Sequence, residues 1–113
     1  MEQDLLRIRT AAHADRMTMS LCGELDLSSA PRLIERLAGA LEDGPAHLDV
    51  DLSRLDYTDS VGLSVFVTAH FQCFDAGIEL QYLNPNQFVR ELLAVTGLDQ
   101  VFSIARTDAL VEA

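Results

Sequence analysis

Along "RMTMSLC" (16–22) apolar and polar positions alternate, so Met17, Met19 and Leu21 fall on one side of an extended strand. Upstream, "LLRIRT" offers Leu6 and Ile8 as a hairpin partner across the turn "AAHAD". The period then changes. In "DLSSAPRLIERLAGALEDGP" Leu33, Ile34, Leu37, Ala38 and Leu41 recur at helical spacing, with Ser28 or Ser29 as cap, Pro31 in the first turn and Gly44-Pro45 as the stop. Alternation returns in "HLDVDLS", where Leu48, Val50 and Leu52 oppose Asp49 and Asp51. It returns again in "GIELQYL", where Ile78, Leu80 and Tyr82 oppose Glu79 and Gln81. "NPNQFVRELLAVTG" reads as a shorter helix stopped by Gly97, "VFSI" as a short edge strand and "TDALVEA" as a capped terminal helix.

A parallel strand covered on both faces reads as a continuous apolar run, whereas these strands keep one polar face. The pattern therefore predicts an α/β fold with a mixed sheet of four to five strands and helices mainly on one face, in two layers. With 113 residues and no linker, repeat or low-complexity segment, the chain reads as a single domain over 1–113.

The run "LSVFVTAHFQCF" is too apolar for a loop and is read as the central helix. At about 100° per residue, Leu63, Phe66, Val67, His70, Phe71, Cys73 and Phe74 share a broad arc, predicted to be buried. Ser64, Thr68, Gln72 and Asp75 form the remaining stripe, which holds one charge and so suits either a partner or partial cover by a neighbouring loop.

Charge narrows the choice of partner. Eighteen acids stand against eight bases, all of them arginine, for a formal net charge of −10. Such a surface repels phosphate backbones and anionic lipid, so neither nucleic acid nor a membrane is expected as a partner, and a basic protein face is the natural complement. No stretch is long and apolar enough to span a bilayer, and "MEQDLLRIRT" lacks the form of a signal peptide, which points to the cytoplasm. Cys22 and Cys73 stand far apart without a CxxC motif and read as reduced core thiols. His13, His47 and His70 are scattered, so no metal and no cofactor is expected.

The sharpest local feature is "YTDSVGLS" (57–64), a polar knot between a strand and the central helix. It resembles in position the G-x-S-x-G elbow that presents a hydrolase serine, but Thr58 stands where the first glycine belongs. The only later histidine, His70, lies ten residues on in the same helix, out of reach of Ser60 as a base. An enzyme is therefore not expected. Asp59 or Ser60 suits the helix cap, and an exposed hydroxyl there suits modification by another protein.

"GELDLSSAPRL", "LDVDLSRLDYTDSVGLSVFVTAH" and "LQYLNPNQFVRELLAVTGLDQVF" resemble, in order and spacing, the STAS domain of bacterial anti-sigma-factor antagonists, over nearly the whole chain. The resemblance implies a mixed sheet with helices on one face, in agreement with the periodicity. It implies a protein that binds an anti-sigma factor when unmodified and so frees the sigma factor. It also implies phosphorylation at Ser60 by that same partner, an ATP-using serine kinase of the GHKL type, with a serine phosphatase for reversal. Asp26 of "GELD" resembles the acidic residue lining the same surface. Where many relatives carry a second serine this chain has Val61, which leaves Ser60 as the main site and Thr58 as a minor one. The contact surface expected from this reading comprises Asp26, Thr58, Asp59, Val61, Gly62, Ser64 and Thr68, with Gly62 leaving room for a kinase. A STAS adaptor subunit of a transporter ATPase or of a stress-signalling complex is the alternative.

Overall fold

In the computed structural model, residues 5–107 are described; the terminal helix expected at 107–113 lies, from residue 108 on, outside them. The elements run β1 (Leu6–His13), β2 (Arg16–Leu25), α1 (Ala30–Asp43), β3 (His47–Thr58), α2 (Ser60–Ala76), β4 (Glu79–Leu83), α3 (Gln87–Thr96), a 3-10 turn (Leu98–Gln100) and β5 (Ile104–Ala105). They form one five-stranded sheet in the order β1-β2-β3-β4-β5. Only the β1/β2 hairpin is antiparallel; every later pair is parallel. The mixed sheet anticipated from the alternation is thus present, at the upper end of the expected strand number.

The hairpin turn is tighter than "AAHAD" suggested. Ala11, Ala12 and His13 continue β1, His13 pairs with Arg16, and only Ala14 and Asp15 make the connection. Ala14 takes a left-handed backbone, φ 57°, a conformation uncommon for alanine and imposed by so short a link.

The inward residues Met17, Met19, Leu21, Leu48, Val50, Leu52, Leu80 and Tyr82 join buried residues of all three helices in one core. The opposite face of the sheet keeps its polar side chains. Burial of this alternating set fixes the register, because a slip of one residue would turn every one of these side chains to water.

β3 extends further than its alternating part. Beyond Leu52 the inward positions are Leu55 and Thr58, and the pairing with β2 is irregular at Ser20/Cys22 and again at Gly23/Glu24. At each point β3 carries one residue more than β2, as in a β-bulge. That breaks the period of two and hides the strand "RLDYT" from a pattern search.

On α2 the predicted buried arc is wrong by roughly 80° of rotation at 100° per residue. Gly62, Leu63, Val65, Phe66, Ala69 and Cys73 are buried, whereas Phe71 and Phe74 are 56% and 76% exposed and Val67 and His70 are half-buried. The helix is apolar nearly all round, so polarity alone cannot phase it. Small residues decide: Gly62 and Ala69 let α2 approach its neighbours, and Phe66 fills the space beside Tyr82, ring centroids 4.9 Å apart. Tyr82 then donates its hydroxyl to the Phe66 carbonyl at 2.9 Å, locking the helix to β4. On α1 the inward set is Ala30, Leu33, Leu37 and Ala40, while Ile34 and Ala38 of the predicted stripe are exposed.

Candidate functional site

The three parallel strands β2, β3 and β4 end at one edge of the sheet, and each hands over there to a helix. Ligands and partners of open α/β sheets gather at such carboxyl ends, because loops and helix N-termini converge. Leu25 and Thr58 are cross-strand partners, so Asp26 and Asp59 each stand one residue past a matched pair, on adjacent strands.

Asp59 is the N-cap of α2. Its backbone is extended, and its Oδ1 accepts the Gly62 amide hydrogen at 3.0 Å while its carbonyl accepts that of Leu63 at 3.0 Å. This resolves the choice between Asp59 and Ser60 as cap. Ser60, the first helical residue, is exposed, and its hydroxyl has no hydrogen-bond partner among the described residues. Ser64, one turn on, is also exposed and donates to the Val61 carbonyl at 2.7 Å.

The first turn of α2 is seated very closely. A Cβ on Gly62 would lie 2.0 Å from Thr58 Oγ1 and 2.8 Å from the Leu25 side chain. The glycine is therefore required by packing, and the reading that it makes room for an approaching enzyme is corrected. Thr58 is 1% exposed, its hydroxyl donating to the Asp59 carbonyl at 3.3 Å. Thr58 and Gly62 consequently support the surface from beneath; they do not form it, and the Thr58 hydroxyl is not presented for modification.

Asp26 organises the loop between β2 and α1. Its Oδ1 accepts from the Ser28 hydroxyl at 2.8 Å, the Ser28 amide at 3.0 Å and the Ser29 amide at 3.2 Å. The Ser28 hydroxyl is the largest cause holding this carboxyl below its ordinary value; partial burial opposes it, and the Ser29 and Ser28 amides reinforce it. Ser29 occupies the N-cap position of α1 but its side chain caps nothing; its hydroxyl donates to the Glu24 carbonyl at 3.1 Å and ties the loop back to β2.

Four apolar side chains of this region were not read as contact residues from the sequence. Tyr57 and Phe88 stack in the open, centroids 5.7 Å apart and 42% and 43% exposed, joining the end of β3 to the start of α3. Leu27 projects from the Asp26 loop, and Phe71 shares the outward face of α2 with Ser60 and Ser64. Asn86 fixes α3 in place: its Nδ2 donates to the Leu55 carbonyl at 3.1 Å, and its Oδ1 caps the Val89 amide at 2.8 Å. The bulges in β3 conceal the outward phase of Tyr57, and only the helical phase of α2 would have revealed Phe71. The expected set is thus revised to Asp26, Asp59, Ser60, Val61, Ser64 and Thr68 at or near the surface, joined by these apolar neighbours. Among the described residues no three His, Cys, Asp or Glu cluster as metal ligands, and no helix is long and apolar enough to cross a membrane.

A family profile described as "Mlab, STAS domain" matches residues 8–112. An anti-sigma-B factor antagonist of Bacillus subtilis is 34% identical over 87 residues, 77% of this chain and 79% of the relative. In backbone, the chain is similar to a crystal structure of an anti-sigma factor antagonist from Mycobacterium paratuberculosis, with TM-score 0.81, 24% identity and coverage of 88% and 85% of the two chains. It is also similar to the unphosphorylated anti-sigma factor antagonist SpoIIAA, with TM-score 0.74, 18% identity and coverage of 95% and 93%. The chain belongs to the STAS-domain family.

Proposed function

We propose that this STAS-domain chain is an anti-sigma-factor antagonist whose unmodified form binds its anti-sigma factor through the carboxyl edge of the sheet, and that phosphorylation of Ser60 turns binding off. The observation that carries the reading is the contrast among the serine and threonine hydroxyls of "YTDSVGLS": Thr58 is buried and Ser64 bonds to its own helix, while Ser60 is exposed and has no hydrogen-bond partner among the described residues. The curated relative named above bears the same function in its name.

The electrostatics suit a switch. A phosphate on Ser60 would bring about −1.5 to −2 charges to a helix N-terminus, whose amides and dipole tolerate an anion, so the fold survives. The same charge would join Asp26 and Asp59 on a face suited to a basic partner, and would have to be desolvated on binding. The kinase is the anti-sigma factor itself, using ATP, and a serine phosphatase restores the active form.

Two measurements test this. Incubated with its cognate anti-sigma factor and Mg-ATP, the chain takes one phosphate on Ser60 by mass spectrometry, and Ser60→Ala takes none; modification chiefly at Ser53 or Ser64 would overturn the assignment. By isothermal titration Ser60→Ala binds about as well as wild type, Ser60→Asp binds more weakly, and the folded phosphoprotein weakest of all. A phosphoprotein that binds undiminished ends the switch. Co-purification of a transporter ATPase with Ser60→Ala, in place of an anti-sigma factor, would favour the adaptor reading.

A further inference from the structure

The helix-free face of the sheet holds a groove of about 260 Å³ that none of the foregoing uses. Three of the chain's eight arginines line it, Arg7 and Arg9 from β1 and Arg54 from β3. The register explains their meeting: Arg7, Cys22 and Arg54 form one row across three strands, and Arg9, Ser20 and Asp51 the next. Arg7 and Arg9 are separated by two strand residues, about 7 Å, and Arg7 and Arg54 by two strand spacings, about 10 Å. Their side chains are long enough to reach one point between them.

The bulge in β3 completes the arrangement. Between the pairs Ser20/Asp51 and Cys22/Arg54 the strand β3 holds one extra residue, and Ser53 and Arg54 both line the groove. Among the described residues none of the three guanidiniums has a hydrogen-bond or ion-pair partner. Asp51, the one acid among the lining residues, has its Oδ1 engaged by the Ser53 amide at 3.0 Å. Among the lining residues three guanidiniums stand against one carboxylate, an excess of two positive charges in a chain whose net charge is −10. A protein short of bases that gathers unpaired arginines in a concavity offers a site for an anion.

We propose that this groove binds a small molecule through a doubly charged phosphate group. Guanidinium forks match phosphate oxygens two at a time, and the hydroxyls of Ser20 and Ser53 supply further donors on the same floor. That excess of two positive charges among the lining residues matches a phosphate dianion. The volume is just under the range of about 300–1,000 Å³ typical of sites for drug-sized ligands, so the occupant is a compact phosphate ester. Cys22, half-exposed in the middle of the first row, gives a direct reporter, because the other thiol, Cys73, is buried.

The probes are inorganic phosphate and pyrophosphate, with malonate as the carboxylate control at matched ionic strength, added to the full chain. Pyrophosphate slows alkylation of Cys22 by iodoacetamide and gives a saturable calorimetric isotherm; malonate does either only at much higher concentration. Loss of a charge-assisted pair corresponds to about tenfold weaker binding, which is the change expected for Arg54→Ala and for Arg9→Ala. Arg54→Lys keeps the charge without the fork and falls between. Circular dichroism confirms that each variant is folded. Protection that malonate reproduces equally, or that the arginine variants leave unchanged, overturns the proposal. So does the absence of protection by any probe, and if anti-sigma-factor binding then falls in the same variants, the groove is a protein contact.

Discussion

The first turn of α2 and its last two turns differ in a way their composition does not announce. The first turn, "SVGL", begins with a polar residue and contains a glycine, yet it is the firmly held end: Asp59 caps it, and Gly62 seats it against Thr58 and Leu25. The last turns carry two phenylalanines and a cysteine, yet only Cys73 is buried and Phe71 and Phe74 face outward. Burial along this helix follows close approach and shape more than hydrophobicity. The exposed Ser60 hydroxyl thus stands on the capped, closely packed end, with apolar side chains further along the same rod.

Two phenylalanines break or sustain this contrast. Phe66 is buried against Tyr82, so Phe66→Ala should destabilise the fold by about 3–5 kcal/mol through loss of transfer energy and an unfilled cavity. Phe71 is exposed, and Phe71→Ala should stay within about 0.5 kcal/mol. Chemical denaturation of both variants checks it; equal losses would restore the arc expected from the sequence and remove Phe71 from the contact face.

Next in size is the glycine. In Gly62→Ala the new methyl meets Thr58 Oγ1 and Leu25, and overpacking of this kind costs about 1–3 kcal/mol. Adding Thr58→Ala should recover part of the loss, since it removes the nearer obstacle. A Gly62→Ala variant as stable as wild type would mean that the glycine is there for access after all.

How far these features could be read from the sequence depends on how regular the backbone is. Regular alternation at 17–21, 48–52 and 78–82 announced three strands and their inward faces, and one polar face announced that helices would cover one side only. The Asp59-Ser60 knot stood out because polar residues interrupt two apolar runs. What stayed hidden were departures from period: the bulges that carry β3 on to Thr58, the phase of an all-round apolar helix, and therefore Tyr57 and Phe71 as surface residues. The arginine groove was equally illegible, since it assembles Arg7, Arg9 and Arg54 across strands whose register no local pattern fixes. Cys22, expected in the core, lies on the open face, where the alternation of 16–22 already places it, on the side opposite Leu21.

A smaller effect tests the firm end through its cap. Asp59→Ala removes the acceptor of the Gly62 amide, and loss of an N-cap costs about 0.5–2 kcal/mol. Asn keeps an acceptor there, so Asp59→Asn should retain most of that stability while removing one negative charge from beside Ser60. If the charge on this face matters to a basic partner, Asp59→Asn weakens binding without a matching fall in melting temperature. Parallel losses in both would make Asp59 a structural cap only.

The smallest difference is electrostatic and concerns the loop beside that end. The Ser28 hydroxyl, with the Ser29 and Ser28 amides, holds the Asp26 carboxyl below its ordinary value of 3.8, against the opposing effect of partial burial. A group whose pKa is lower folded than unfolded adds stability that is fully present above its unfolded value and is lost as pH falls through the folded one. Asp26→Asn cannot ionise, so wild type should melt slightly higher than this variant near neutral pH, and the gap should close as the medium is taken below pH 3.8. Melting curves of the two proteins between about pH 7 and pH 2 decide it, the window being set by the carboxylate range. A gap independent of pH would show that the variant disturbs the loop by shape, and that the Asp26 charge does not hold the turn in place next to Ser60.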